Sequence, residues 1–171
     1  IDAMNTNSQL DMLVTNENTN RKIYIKYNLT SKQLNAQSLD NIIEDLYTID
    51  NVLTTDDTLM IIIDIEPNDS ILTKIRYLYD HSGIFVVIHN IKRLQYNLLN
   101  HALVPAARIL DVNEIEQFKQ TYNINNLSQI PEISRFDPQA LAICLRPGQV
   151  CEFTRNSPTA MNAKYYRVCM A

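Results

Sequence analysis

The stretch LMIIIDIEPNDSILTKIRYLYDHSGIFVVI, residues 59–88, contains two continuous apolar runs separated by an amphipathic segment. The runs at 59–63 and 84–88 are too short for buried helices and are typical of strands covered on both faces. The segment near 69–80 repeats apolar residues at helical spacing and is followed by Gly83, a residue type that often ends a helix. This order predicts a right-handed crossover in a parallel or mixed sheet covered by helices.

The segments before this crossover extend the same sheet. Residues 22–27, KIYIKY, have the period of two that predicts a half-buried strand, and we expect the apolar stretch at 12–14 to pair with it. Residues 39–53 predict one amphipathic helix, because apolar side chains recur there at helical spacing. These are Leu39, Ile42, Ile43, Leu46, Ile49 and Leu53.

The segments after the crossover begin with a short predicted helix at 91–99, and then the character of the sequence changes. Asp111 and Glu114 form a capping box, which predicts the start of a helix. The apolar face of that helix is expected to contain Val112, Ile115, Phe118 and Tyr122.

The last part of the chain predicts a second short helix and two strands. Asp137 before Pro138 is a sound N-cap for a helix at 138–143, and Gly148 permits the turn into the following strand. Strands are predicted at 150–155 and 165–170. We therefore expect an α+β protein with a boundary near residue 100, in which a mixed α/β domain, 1–100, precedes a small α+β domain, 101–171.

Charge and composition restrict the partners of this chain. The formal net charge is -4, and it divides into -5 over residues 1–100 and +1 over residues 101–171. Neither part has the basic excess of a protein that holds phosphates unaided, so we expect any DNA contact to depend on a larger partner. The sequence has no run of about 18 uncharged apolar residues and no signal-peptide pattern. An intracellular protein without membrane contact is expected.

Several kinds of catalytic and cofactor site are absent from the sequence. With 2 glycines in the chain, Gly83 and Gly148, neither a dinucleotide-binding nor a phosphate-binding glycine loop can form. The 3 cysteines, Cys144, Cys151 and Cys169, lack the spacing of a zinc site or a disulfide framework and are expected to be buried thiols. The 3 histidines have no metal-binding spacing. We expect no cofactor and no metal.

Asp64 and Glu66 are the most suggestive catalytic pair, because a magnesium-dependent nuclease places two carboxylates at the end of a buried strand. Such an enzyme also needs a lysine two residues beyond the second acid, and that position is Asn68. Pro67 further predicts a turn here. A solvated strand end is the favoured interpretation, and a divergent nuclease built on the N-terminal sheet is the alternative.

Residues 101–171 contain short segments in a fixed order that no catalytic chemistry explains. No two of them form a nucleophile and base or a metal shell. In order they are HALVP (101–105), QIPEI (129–133), DP (137–138), RPGQV (146–150), RNSPTA (155–160) and YR (166–167). Their joint order and spacing resemble the C-terminal assembly domain of a small subunit that the multisubunit RNA polymerases of eukaryotes and archaea share, called the fifth subunit in eukaryotes.

The resemblance implies a non-catalytic structural subunit of DNA-directed RNA polymerase, docked on the largest subunit and in contact with other polymerase subunits. It also implies that residues 1–100 form a jaw-like domain that flanks downstream DNA, and it implies no small-molecule substrate. A free-standing interaction module is a further alternative. Contacts with the largest subunit are expected from His101, Pro105, Asp137, Pro138, Arg155, Ser157, Thr159, Ala160, Tyr166 and Arg167. Side chains expected near DNA, unless they form only a solvated face, are Arg21, Lys22, Lys74 and Arg76.

Two arginines of the matched segments have alternative roles. Arg155 and Arg167 are expected on adjacent strands near Ser157 and Thr159, where a planar guanidinium either holds the connecting turn or binds a partner's carbonyl groups.

The sequence also departs from the family pattern. The family has Arg at Leu141, Pro at Asn156, an acid at Pro158 and Gly at Met161. Over 11–100 the resemblance is to the order of elements in the eukaryotic jaw domain, without its first helices. We therefore expect missing residues before Ile1. The divergence suggests a large DNA virus or an unusual protist as the source, with the viral factory, the virion or the nucleus as the location.

Overall fold

The computed structural model describes residues 10–17, 20–29 and 34–170, and the chain divides into two compact units, Ile1–Gln95 and Tyr96–Ala171. None of the helices among the described residues is long and apolar enough to cross a membrane. Both units combine helices with sheets that contain parallel and antiparallel pairs, so the predicted α+β class is confirmed.

The described strands of the first unit form one mixed sheet in the order β1-β2-β3-β4. They are β1 (Met12–Thr15), β2 (Lys22–Asn28), β3 (Thr58–Ile63) and β4 (Phe85–Asn90). Strand β1 pairs with β2, as expected, and the pair is antiparallel, whereas the β2–β3 and β3–β4 pairs are parallel. Strands β3 and β4 are almost entirely buried, which confirms the prediction from their continuous apolar runs.

The described residues of the first unit include two α-helices, α1 (Ala36–Ile43) and α2 (Asp69–Ser82), of which α2 packs against β4 and α1 contacts α2. Helix α2 begins at the N-cap Asn68, whose side chain accepts a bond from the Ile71 amide, and ends at Gly83 with φ 68°. That helix was predicted correctly. Because a left-handed φ favours glycine, Gly83 is the residue that lets the chain turn into β4.

The prediction of a single helix over 39–53 is wrong. Helix α1 continues as a π-helical segment, Glu44–Ile49, and the chain then turns so that the Leu53 amide donates to the Leu46 carbonyl. A π turn contains more residues than an α turn, so later side chains leave the original apolar face. Ile49 is accordingly 65% exposed, whereas Leu53 is buried outside any helix.

The second unit has its own sheet, in which the described strands have the order β5-β7-β8-β6. They are β5 (Ala106–Ile109), β6 (Glu132–Ser134), β7 (Val150–Ser157) and β8 (Met161–Met170). Strands β7 and β8 form the expected hairpin, but they are longer than predicted, and β5 and β6 were not predicted. The helix expected at 91–99 is two short 3₁₀ helices, Ile91–Gln95 and Leu98–Asn100.

Each face of the second sheet carries a separate apolar core, because neighbouring residues of β7 point to opposite faces. On one face Val150 and Val168 pack with Phe118 of α3 (Val112–Tyr122). On the other, Cys151, Phe153 and Cys169 pack with Ala140 of α4 (Pro138–Ala142) and with Leu145.

The capping box at the start of α3 is confirmed, but the predicted apolar face is only partly right. Val112 is 74% exposed and Phe118 is buried. At about 100° per residue, the two lie about 120° apart around the helix, so both cannot face the sheet.

Candidate functional site

The segment from His101 to Pro105 is shaped by two internal hydrogen bonds and is joined to α4 by a third. The His101 Nδ1 atom accepts a bond from the Leu103 amide at 3.2 Å, and the His101 carbonyl accepts one from the Val104 amide at 2.9 Å. The Gln139 side chain then donates to the Pro105 carbonyl at 2.6 Å. The end of the first matched segment therefore contacts the residue that directly follows the third, 34 residues later in the chain.

Asp137 and Pro138 start α4 as the sequence predicts. The Asp137 carboxylate accepts a bond from the Gln139 amide at 2.9 Å, and Pro138 occupies the first turn, where it lacks an N–H that would have no helical partner anyway. Asp137 therefore already has a structural role, and it positions the Gln139 side chain that binds the Pro105 carbonyl.

The tip of the β7–β8 hairpin contains Ser157, Thr159 and Ala160. The Ser157 and Thr159 hydroxyl oxygens are 3.3 Å apart, and the Ala160 amide donates to the Ser157 hydroxyl at 3.3 Å. Met161, which follows, has φ 59° and is highly exposed. Arg155 lies opposite Ala163 near this tip, with its side chain exposed.

Arg167 does not lie near this tip, which corrects the expectation for it. It is opposite Cys151, far along the hairpin from the Ser157–Met161 pair. Its guanidinium donates to the Glu132 carbonyl of β6 at 2.8 Å. Arg167 thus joins two strands of its own sheet, whereas no described side chain forms an ion pair or hydrogen bond with the Arg155 guanidinium.

Tyr166 belongs to a buried polar network centred on Glu152, a residue that no sequence motif singled out. Glu152 is 6% exposed, and its carboxylate accepts bonds from Arg108 Nε at 3.0 Å, from the Tyr166 hydroxyl at 3.1 Å and from Lys164 Nζ at 3.3 Å. Arg108 also binds Glu114 at 2.6 Å. The available signal was the alternation of β7, which places Glu152 on the same buried face as Val150.

These contacts shift the pKa values of Glu152 and Tyr166 in opposite directions. Burial raises the pKa of Glu152, but hydrogen bonds from Arg108, Lys164 and Tyr166 outweigh it, so the pKa of the carboxyl is lowered overall. Burial and the hydrogen bond to Glu152 raise the pKa of Tyr166 to about 12. At neutral pH the network is therefore a carboxylate held by two cations and a neutral phenol.

An aromatic groove lies beside this network. The ring of Phe118 is 5.0 Å from that of Tyr122 and 4.2 Å from that of Tyr166, measured between centroids. Together with Ile130 and Pro131 these rings line an open cavity of about 420 Å³. Tyr122, at its edge, is 57% exposed. An aromatic lining of this kind suits an apolar side chain.

The basic residues of the first unit that were expected near DNA have neighbours within that unit. Lys22 Nζ donates to the Val52 carbonyl at 3.3 Å, and Lys74 forms an ion pair with Asp40 at 3.0 Å. Arg21 lines an open cavity with Asp56 and Asp57, and Arg76 is exposed on α2. These side chains lie at the start of β2 and on α2, with acidic groups or carbonyls beside most of them.

Asp57 explains part of this arrangement. Its buried carboxylate accepts bonds from the Lys22 amide and from the Thr54 amide and hydroxyl. Burial raises its pKa, but these bonds outweigh burial, so the pKa is lowered overall. It joins β2 to the loop before β3.

The acidic pair at the end of β3 is neutralised by the two cations that follow β4. Asp64 pairs with Lys92 at 3.2 Å and Glu66 with Arg93 at 3.1 Å, and all four side chains are well exposed. Asn68, at the position of the lysine that a nuclease needs, caps α2. Among the described residues no group of three or more His, Cys, Asp or Glu side chains could hold a metal ion. The three cysteines are buried or half-buried free thiols, as predicted.

Comparison with known proteins identifies relatives for the second unit. The model of the family described as "RNA polymerase Rpb5, C-terminal domain" matches residues 96–169. The chain is 42% identical over 74 residues to DNA-directed RNA polymerase subunit Rpo5 of Thermococcus kodakarensis, and this match covers 43% of this chain and 89% of that protein. It is 40% identical over 72 residues to Rpo5 of Methanococcus maripaludis, which covers 42% of this chain and 91% of that protein.

Proposed function

Because the chain belongs to the Rpb5 family of DNA-directed RNA polymerase subunits, we propose that it is a non-catalytic structural subunit that docks on the largest subunit of a polymerase. The observation that carries this proposal is the coverage of the match. Nearly the whole of each archaeal Rpo5 protein corresponds to the second unit of this chain. Since proteins hardly longer than this unit serve as polymerase subunits, an assembly role for the unit is supported.

The arrangement of the second unit supports the same role. Its short matched segments are mostly engaged in turns, caps and strand contacts, as described for Asp137, Ser157 and Arg167. Such residues shape a surface, and the side chains left exposed on it are candidates for partner contacts. Among the expected contacts, Arg155 is the charged one that lies exposed without a described partner.

The first unit is proposed to be the jaw-like part that flanks downstream DNA when the polymerase is assembled. The net charge is -5 over residues 1–100, and Lys74 is paired to Asp40, so the described residues of this unit form no continuous basic surface. The isolated chain should therefore bind duplex DNA no more tightly than non-specific binders do, with dissociation constants of about 10⁻⁴ to 10⁻⁶ M at physiological salt.

Reconstitution tests this proposal most simply. The full chain is produced with the other polymerase subunits from its own source, and the complex is washed at high salt. We expect one copy of the chain to remain in each polymerase, because burial of an apolar and hydrogen-bonded interface is not screened by salt as DNA binding is. A polymerase of full composition that never retains the chain would refute the proposal. In a virus-encoded polymerase the complex would act in the viral factory or virion, and in a cellular one in the nucleus.

A further inference from the structure

One edge of the second sheet is open along part of β8. Strand β6 opposes only Val168–Met170 of β8. No described strand lies beside residues 162–167 on that side. An open edge exposes a row of backbone N–H and C=O groups that can pair with another extended chain.

The direction of these groups follows from the bonds at the other end of β8. The Cys169 amide donates to the Gln149 carbonyl before β7, and the Val168 amide donates to the Pro131 carbonyl before β6. Since successive residues of a strand point their backbone groups to opposite sides, the amides and carbonyls of Tyr166 and Lys164 point to the open side. The Asn162 amide is already bound to the Ala160 carbonyl, so the free edge begins at Lys164.

Pro131 is the reason that β6 does not continue along this edge. The Arg135 amide donates to the Met170 carbonyl. Four residues earlier on both strands, the same parallel pattern would place the amide of residue 131 beside the Tyr166 carbonyl. Proline has no N–H. The ladder therefore stops at Tyr166, beside the aromatic groove.

Charge and shape specify what can fill this edge. Lys164 is the cation that β8 carries on this face of the sheet. Its Nζ contacts the Glu152 carboxylate at 3.3 Å, but its side chain is still 57% exposed, so it can also meet a carboxylate of a partner. Lys164 and Tyr166 lie two positions apart, so their side chains point to the same face of the sheet, where Phe118 and Tyr122 line the groove. A strand added beside β8 would thus present one side chain to Lys164 and the next on that face to the groove.

We propose that the free edge of β8 binds an extended segment of another polymerase subunit by strand addition, with an acidic residue opposite Lys164 and an apolar residue in the groove at Tyr166. This inference rests on the proposed assembly role and specifies part of its surface. Backbone bonds supply affinity in such additions, and the alternating side chains supply specificity.

The main test replaces the open amide at Lys164. Lys164→Pro removes the outward N–H and leaves the β7 ladder intact, and Lys164→Thr removes the charge but keeps the N–H. Both variants lose the contact of Lys164 with Glu152, so Lys164→Thr is also the control for that loss. Ala107→Pro is the matched control on the opposite edge of the sheet. The Leu110 amide donates to the Val150 carbonyl, so it points toward β7. Because the backbone groups of successive residues point to alternate sides of a strand, the Ala107 amide points away from β7. Binding to polymerase assembled without this subunit is measured by titration, and the melting temperature of each variant is recorded.

We expect Lys164→Pro to weaken binding by about tenfold or more, Lys164→Thr to weaken it less, and Ala107→Pro to leave it unchanged. Tyr122→Lys, at an exposed groove position, tests the apolar contact without touching the strand and should also weaken binding. A photo-reactive benzoylphenylalanine at Asn162 should cross-link to an extended acidic segment of a polymerase subunit.

The outcomes separate this inference from the assembly role. If the wild-type chain is retained and both Lys164→Pro and Tyr122→Lys bind as tightly as it does, the strand addition is refuted and the assembly role stands. Cross-links to a second copy of this chain, or to a helical segment, would also overturn it. If the wild-type chain is not retained at all, the proposed function fails first.

Discussion

The two sheets of this protein have the same number of described strands but keep them in place differently. In the first unit β3 and β4 are buried by apolar side chains, whereas Met12, Leu13 and Val14 of the edge strand β1 are about half exposed. In the second unit both faces of the sheet carry an apolar core. On one of these faces the buried Glu152 carboxylate also accepts hydrogen bonds from three side chains. The buried carboxylate of the first unit, Asp57, joins β2 to the loop before β3 through backbone groups and one hydroxyl. The Glu152 carboxylate instead contacts side chains from β5 and β8, so it requires one particular arrangement of three strands.

The largest expected effect comes from the cores. Phe153→Ala should destabilise the second unit by about 3–5 kcal/mol, because a buried aromatic side chain is removed and a cavity remains. Phe85→Ala is the matched change in the first unit, where Phe85 is equally buried. Urea unfolding followed by residue-specific NMR signals measures both units at once. Equal destabilisation of both units by either change would show that they do not unfold separately.

The polar network should give the next largest effect. Glu152→Gln keeps the shape of the side chain but removes the charge that Arg108, Lys164 and Tyr166 contact, and we expect a loss of about 2–3 kcal/mol in the free energy of unfolding. Glu116→Gln, at an exposed position of α3, is the control and should change little. An unchanged melting temperature for Glu152→Gln would mean that the network does not stabilise the second unit.

The same carboxylate predicts a pH dependence. The pKa of Glu152 is lower in the folded protein than its ordinary value of 4.5, so the folded state resists its protonation. The stabilisation is present in full above about pH 5 and is lost as the pH falls through 4 and below. Wild-type protein should therefore lose more stability between pH 6 and pH 3, roughly the range of carboxyl titration, than Glu152→Gln does. Parallel stability curves for the two proteins would contradict this assignment.

One glycine in each unit offers a smaller, matched pair of changes. Gly83 has φ 68° and Gly148 has φ 84°, and neither has an atom close enough to clash with a methyl group. Alanine at either position should destabilise its own unit by about 1–2 kcal/mol through backbone strain alone. Differential scanning calorimetry of Gly83→Ala and Gly148→Ala measures this, and a stabilised Gly148→Ala protein would show that the turn before β7 tolerates another conformation.

The smallest expected effects separate structural from partner contacts on β7 and β8. Arg167→Ala removes the bond to the Glu132 carbonyl and should lower the stability of the second unit by about 0.5–1.5 kcal/mol. Arg155→Ala should leave the melting temperature unchanged but weaken polymerase binding, because Arg155 is exposed. If Arg155→Ala instead lowers the melting temperature and binds normally, Arg155 only supports the hairpin.

Local signals explain which parts of this fold were predictable. The cap at Asp137, the capping box at Asp111 and the pairing of β1 with β2 each depend on residues close together in sequence or on a simple alternation. Strands β5 and β6 have four and three residues and form only because distant strands pair with them. Their lengths are too short for any periodic pattern to be detected.

The candidate site was predictable to a similar extent. The matched segments located the hairpin, but not the bond from Arg167 to Glu132 or the role of Glu152, since these depend on which strands are neighbours. A glutamate between Cys151 and Phe153 resembles any exposed residue of a half-buried strand. Only the sheet order places Arg108, Lys164 and Tyr166 around it.

The central claim is that the second unit alone binds the polymerase, and one measurement tests it most directly. Fragments 96–171 and 1–95 are each titrated against polymerase assembled without this subunit, after circular dichroism has established which of them folds. We expect fragment 96–171 to fold and bind with an affinity similar to that of the full chain, and fragment 1–95 not to bind. Binding that requires residues 1–95, or a folded fragment 96–171 that does not bind, would contradict the account.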